Sequence, residues 1–260
     1  MRIEDERLPG SGVSGVVRIG DTVRRPRRPW SPTIQGLLEH YHRAGVTEVP
    51  RPLGFDEDGR EVLEYVQGMA AVPPFAESIR SDESLAELGR LVRELHDASE
   101  TYRPREATWP ALLRDPSGRD EVVCHNDLST YNTIYRNGHP ASIIDWDYAA
   151  PGSRLWDLAY ASWWLVPLHR PEYCELLGWG SVDQPRRLRL LCDSYGLGEQ
   201  RAQLVATILE RQRRTQEQLS AWVREGLVPD FDAGSPLVEA GRTDYVESVR
   251  DRLERALELA

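Results

Sequence analysis

The 260-residue chain carries 42 acidic side chains against 32 basic ones, a net charge of −10, with a mean hydropathy of −0.53. That length can bury a sizeable core as one domain or two lobes. No apolar run nears the roughly 18 residues of a membrane span, and an acidic surface argues against nucleic-acid phosphates as partners. All 32 basic residues are arginine; lysine is absent. Cys124, Cys174 and Cys192 have neither metal nor disulfide spacing and read as thiols of a reducing compartment. Met1-Arg2-Ile3-Glu4-Asp5-Glu6 has no apolar signal core, so a cytoplasmic location is expected.

In chain order, Leu8–Ile19 reads as a turn containing Gly10, Gly12 and Gly15 that leads into a strand. Thr22–Pro26 follows as a second strand, on which Arg24 and Arg25 point to opposite faces. Ser31-Pro32 signals a helix entry, with Ser31 at the cap, and Ile34, Leu37, Leu38 and Tyr41 keep helical spacing. Arg51–Phe55 and Arg60–Val66 read as strands around an Asp56-Glu57-Asp58-Gly59 turn. Beyond Gln67-Gly68 the pattern becomes helical. Leu85, Leu88, Leu91, Val92 and Leu95 form one stripe between about Asp82 and Ala98, closed by His96, which reads as a packed histidine. Further helices are expected near 153–166, 184–195, 199–225 and 238–258, with Leu204, Ile208, Leu219, Trp222 and Val223 on a core face.

Between these helical stretches lies the most specific segment, His125-Asn126-Asp127-Leu128-Ser129-Thr130-Tyr131-Asn132, followed by Ile143-Ile144-Asp145-Trp146-Asp147. Apolar runs at Glu121–Cys124, Thr133–Tyr135 and Ala141–Ile144, with a turn at Arg136-Asn137-Gly138, make a strand, a loop and a hairpin. Kinase-type phosphoryl transfer needs a carboxylate to orient the acceptor hydroxyl, an amide oxygen for a metal ion and a second carboxylate on that metal. The pattern H-x-D-L-x-x-x-N with a following Asp supplies all three: Asp127 as the catalytic residue, Asn132 and Asp145 as ligands of Mg²⁺, a hard cation that prefers oxygen. His125 reads as architectural, Asp147 as a support of the metal site or a turn residue, and Asp157 as a helix cap or brace of the loop.

From His125 to Leu158 the chain resembles the aminoglycoside phosphotransferase and choline kinase-like family, with Ile144-Asp145-Trp146, Pro151-Gly152 and Asp157-Leu158-Ala159 in the family's order. The resemblance implies a protein-kinase-like α+β fold of two lobes: a small N-terminal β-sheet lobe over residues 1–66 and a larger, mainly helical C-terminal lobe over residues 67–260. It implies Mg²⁺-dependent transfer of the γ-phosphate of ATP or GTP to a hydroxyl of a small molecule. The alternative is a nucleotide-binding pseudokinase or regulatory module. The strand lysine that kinases set against the phosphates is missing, and Arg24 is expected in its place. The helix glutamate that pairs with that cation is also in question: Glu39 lies late in the helix, and Gln35 stands nearer the usual position. Glu64, Tyr65 and Val66 would form the hinge that meets the adenine edge. Asn126 in place of the arginine of H-R-D, and the short interval from Asp145 to Asp157, speak against a protein kinase. The acidic balance and the segment Trp163-Trp164, Glu172-Tyr173, Glu175 and Trp179 suggest a cationic or sugar-like acceptor.

Overall fold

A computed structural model describes residues 6–7, 15–225 and 243–258. Gly10 and Gly12 of the expected glycine turn lie outside these residues. The chain begins with a five-stranded antiparallel sheet in the order β1-β2-β3-β5-β4, formed by β1 (Glu6–Arg7), β2 (Val17–Ile19), β3 (Thr22–Arg25), β4 (Pro52–Phe55) and β5 (Glu61–Glu64). In the β3–β5 register Thr22 faces Glu64 and Arg25 faces Glu61. Helix α1 (Ser31–Arg43) crosses between β3 and β4 and buries Ile34, Leu37, Leu38 and Tyr41. Its cap is Trp30 rather than Ser31. The Ser31 hydroxyl is drawn instead to the buried carboxylate of Glu61 at 3.0 Å, and it accepts from the Arg28 amide.

The remainder is mainly helical, threaded with short strands. β6 (Met69–Ala70) leads to α2 (Glu77–Arg80) and α3 (Asp82–Ser99), which Ser81 caps through the Ser84 amide at 3.1 Å. β7 (Val122–Cys124) precedes the His125–Asn132 loop, and β8 (Thr133–Arg136) and β9 (His139–Ile143) make the following hairpin. β10 (Ala150–Gly152) returns to pair with β7, and β6 adds to the edge of β8. The helices are α4 (Arg154–Leu165), α5 (Pro171–Leu176), α6 (Gln184–Tyr195), α7 (Leu204–Arg224), α8 (Thr243–Ser248) and α9 (Arg250–Leu257).

Two packings organise this helical part: α3 against α6 and α4 against α7. The first is close enough to require glycine, since a Cβ on Gly89 would sit 2.9 Å from the Ser194 Cβ. Leu85, Leu88, Leu91, Val92 and Leu95 are buried as their spacing predicts. The expected 199–225 helix starts as a 3-10 turn at Glu199–Gln203, and only its first turns are buried; Leu219, Trp222 and Val223 are half-exposed. The expected 238–258 helix is broken at Val249, and residues 238–242 lie outside those described.

Candidate active site

The loop after β7 is fixed by its backbone. Asp157, buried in the first turn of α4, accepts from the His125 amide at 2.9 Å and the Asn126 amide at 2.7 Å, and its Oδ2 also meets His96 Nε2 at 3.0 Å. Burial opposes ionisation there, yet the hydrogen bonds and charge of His96 with the His125 amide hold the Asp157 carboxyl below its ordinary range. The other ring nitrogen of His96 meets the Tyr195 hydroxyl at 2.8 Å. His96 is thus the packed histidine its helix position suggested. His125 accepts from the Asp127 amide on Nδ1 at 3.2 Å and donates from Nε2 to the Ile144 carbonyl at 2.9 Å. That pattern fits a neutral ring spanning the loop and the hairpin.

This scaffold presents three side chains. Asp127 Oδ1 accepts from the Tyr160 hydroxyl at 2.6 Å, and Oδ2 accepts from Asn132 Nδ2 at 2.9 Å. Burial raises the Asp127 carboxyl above its ordinary value, against the hydrogen bond from Tyr160. The Asn132 amide nitrogen also binds the Asp127 carbonyl at 2.8 Å, which leaves Oδ1 as the atom that can face a cation. The Ile144 amide donates to the Asn132 carbonyl at 2.9 Å, seating the next residue, Asp145, at φ +64° beside the loop. Its carboxylate is 49% exposed.

The sheet contributes a cation, and it is Arg25. Arg24 turns away to Asp56 at 3.1 Å, which also holds Arg60 at 2.8 Å. Arg25 reaches Glu61 at 2.8 Å, Asp147 at 2.9 Å and Asp145 at 3.5 Å. Alternate strand residues face opposite ways, so of the two it is Arg25 and not Arg24, the expected substitute for the lysine, that lies beside Asp145 and Asp147. Burial works against the Arg25 charge, yet Asp147, Glu61 and Asp145 together hold its pKa above the ordinary value. Burial also lifts the Asp147 carboxyl to about 6, against the attraction of Arg25. Among the described residues the sheet partner of Arg25 is Glu61, not Glu39 of α1. Glu61 lies directly across the ladder on β5, fully buried, and accepts from Ser31 Oγ and from Gln35 Nε2, each at 3.0 Å. Gln35, at the expected helix position, becomes a neutral tie that also donates to the Val62 carbonyl and accepts from the Gly54 amide.

Of the expected hinge, the Glu64 and Tyr65 amides are committed to the Arg51 and Asp21 carbonyls at 2.9 and 2.8 Å, and the Arg18 guanidinium stacks 3.8 Å over the Tyr65 ring. Val66 follows them, half-buried.

A family model described as "Phosphotransferase enzyme family" matches residues 99–191, the span that holds the loop, the hairpin and α4. Over 199 residues the chain is 36% identical to the trifolitoxin immunity protein of Rhizobium leguminosarum bv. trifolii, covering 73% of each sequence. The chain belongs to the phosphotransferase enzyme family. Solved structures extend the likeness to the fold. A choline/ethanolamine kinase family protein from Mesorhizobium loti superposes with a TM-score of 0.62 at 22% identity, covering 98% of this chain and 92% of its own. Choline kinase LicA from Streptococcus pneumoniae gives 0.56 at 14% identity with 98% and 93% coverage. The ADP-bound aminoglycoside phosphotransferase APH(2'')-Ib gives 0.56 at 12% identity with 98% and 92% coverage. The two-part, protein-kinase-like fold is therefore that of this phosphotransferase family member.

Three residues of the site escape the motif reading. Glu61 is found only through the register of β3 and β5. Tyr160 stands three residues after Asp157, a spacing that shares one helix face. Arg211, buried in α7, donates to the Asn126 carbonyl at 2.6 Å, and it falls on the stripe of Leu204 and Ile208, where a cation is out of place. The aromatic segment beyond the motif is mostly core: Trp163, Trp164, Tyr173 and Trp179 are buried, while Glu172 and Glu175 are exposed.

Proposed function

We propose that this chain transfers the γ-phosphate of ATP or GTP to a hydroxyl of a small molecule, with Mg²⁺ bound. The nucleotide would lie against a sheet lobe of residues 1–66 and the acceptor against a helical lobe of residues 67–260. The observation that carries the reading is the Asp127 carboxylate, held through both oxygens by Tyr160 and Asn132 while Asp145 stands on the adjoining hairpin with Arg25 beside it.

In this reading Asp127 orients the acceptor hydroxyl and takes its proton as the new oxygen–phosphorus bond forms and the bond to the leaving nucleoside diphosphate breaks. A carboxylate suffices because the transition state is loose and needs little base strength. The donor set suits a hard cation: Asn132 Oδ1 and the Asp145 carboxylate are both oxygen donors. Magnesium, when bound there, offsets the charge that builds on the transferring group. Arg25, rather than Arg24, binds the nucleotide phosphates; its planar fork can meet phosphate oxygens in pairs. At the hinge of Glu64, Tyr65 and Val66, the Val66 backbone meets the adenine edge, since the other two amides are already engaged. His125, Asp147 and Asp157 hold the geometry.

The acceptor is cationic or sugar-like on this view, with exposed Glu172 and Glu175 on α5 and half-buried Tyr131 beside Asn132 as contact residues. The test is release of nucleoside diphosphate across a panel of amino sugars, amino alcohols and anionic alcohols with MgATP and MgGTP. Acceptor-dependent turnover that vanishes in Asp127→Ala supports the proposal. Nucleotide binding without turnover on any acceptor leaves the pseudokinase reading instead.

The 36% identity to a toxin immunity protein favours a second, narrower reading, in which the acceptor is a toxin and its phosphorylation is the protective event. Expression in a toxin-sensitive strain decides it: protection by the wild type, lost with Asp127→Ala, is the expected result, and equal protection by both separates immunity from transfer.

A further inference from the structure

Arg211 is 1% exposed, yet its guanidinium meets no side-chain carboxylate among the described residues. It donates instead to two backbone carbonyls, Leu113 at 2.5 Å and Asn126 at 2.6 Å. Both acceptors are non-glycine residues in the left-handed region, at φ +60° and +66°, a conformation that persists only where the surroundings over-determine it. The guanidinium also lies over the Trp156 ring, 4.7 Å from its centroid, and over the Tyr160 ring, 4.9 Å from its centroid. Two of these four contacts lead to Asp127. Asn126 is the residue before Asp127, and the Tyr160 hydroxyl binds the Asp127 carboxylate.

Taking a guanidinium out of water is expensive even when it is paired. Packing on this face of α7 would be served by Leu or Met. What the guanidinium adds is a rigid fork of donors with flat faces. We propose that Arg211 is a positioning residue for phosphoryl transfer: it pins the Asn126 carbonyl and the Tyr160 ring and thereby sets the direction of the Asp127 carboxylate. This rests on Asp127 being the group that orients the acceptor.

The experiment compares the wild type with Arg211→Met, which keeps the volume and removes the buried charge, and Arg211→Lys, which keeps the charge and loses the fork. Nucleotide affinity, kcat and thermal midpoint are measured for each. MgATP affinity is expected to stay within about twofold and the midpoint of Arg211→Met to hold. The kcat is expected to fall about 100-fold, the scale of a displacement of about 1 Å at a reacting group. Tyr160→Phe combined with Arg211→Met should cost less than the product of the single effects, because both act on one carboxylate. A folded Arg211→Met with wild-type kcat overturns the proposal. So does a fall in affinity matching the fall in kcat, or failure of both variants to fold, each of which would assign Arg211 to the fold alone. A crystal structure of Arg211→Met provides a readout free of activity: a displaced Asp127 carboxylate supports the proposal, and an unmoved one rejects it. Absence of transfer by the wild type would instead count against the phosphotransfer reading.

Discussion

The His125–Asn132 loop and the small sheet both bring charged side chains to one place, and they hold them by opposite means. The loop is tied through its backbone: Asp157 takes two of its amides, Arg211 takes a carbonyl, and the His125 ring bridges it to Ile144. In the sheet it is the guanidinium of Arg25 that is tied by side chains, by Glu61 across the ladder and by Asp145 and Asp147 beyond it. Backbone ties fix where a residue sits whatever its side chain is, so the side chain can be specialised for chemistry. Side-chain ties fix only a charge, and a charge can be passed to a neighbouring position as long as the face is right.

The largest effect is expected at Asp127. Asp127→Ala should lower kcat by about 10³- to 10⁴-fold, the upper range for a lost proton-transfer group, while isothermal titration finds MgATP affinity nearly unchanged. Next comes the brace. Asp157→Ala leaves the His125 and Asn126 amides and His96 without their buried acceptor, and urea unfolding should report a loss of about 3–4 kcal/mol. An unfolding midpoint equal to wild type would mean the backbone ties are not what holds the loop.

Acid probes a place outside both regions, the buried His169 packed on Trp164 and Tyr173. Burial drives the His169 imidazole down to about 3, whereas in the unfolded chain it titrates near 6.5. The unfolded state therefore binds the extra proton between those values, and stability falls as pH drops below about 6.5, by up to about 1.4 kcal/mol per unit. Between pH 6.5 and 5 the loss should approach about 2 kcal/mol, and His169→Phe should remove that share. Equal pH dependence of the wild type and His169→Phe would refute a buried neutral ring. The smallest effect sharpens the sheet side: Arg25→Ala should raise the nucleotide KM about tenfold, worth about 1.4 kcal/mol. Arg24→Ala should leave it within about twofold, and steady-state kinetics with the same acceptor measure both.

What was legible in the chain follows the same division. Asp127, Asn132 and Asp145 stand at spacings set by one loop and one hairpin, so local sequence order brings them together. The stripes of α1 and α3 were equally readable, because their periodicity depends on one buried face. Glu61 was not readable as the partner of Arg25, because the pairing depends on register between strands separated by α1 and β4. Arg211 lies 85 residues from the carbonyl it pins, and only its place on an apolar stripe betrays it. The aromatic segment after the motif is mostly core: its rings pack on one another, as with Trp164 and His169 at 5.1 Å between centroids, and composition cannot tell a core from a pocket.

The cross-strand seat of Glu61 has a regulatory consequence. In protein kinases the cation of the strand is completed by a glutamate on a helix, and moving that helix switches the enzyme. Here both partners belong to adjacent strands of one hydrogen-bonded ladder, and α1 contributes only the neutral Gln35 and the Ser31 hydroxyl. Swinging α1 outward would strip two hydrogen bonds from Glu61 and still leave it opposite Arg25. A switch of that kind has nothing to open in this sheet, so the pair is ready whenever the sheet is folded.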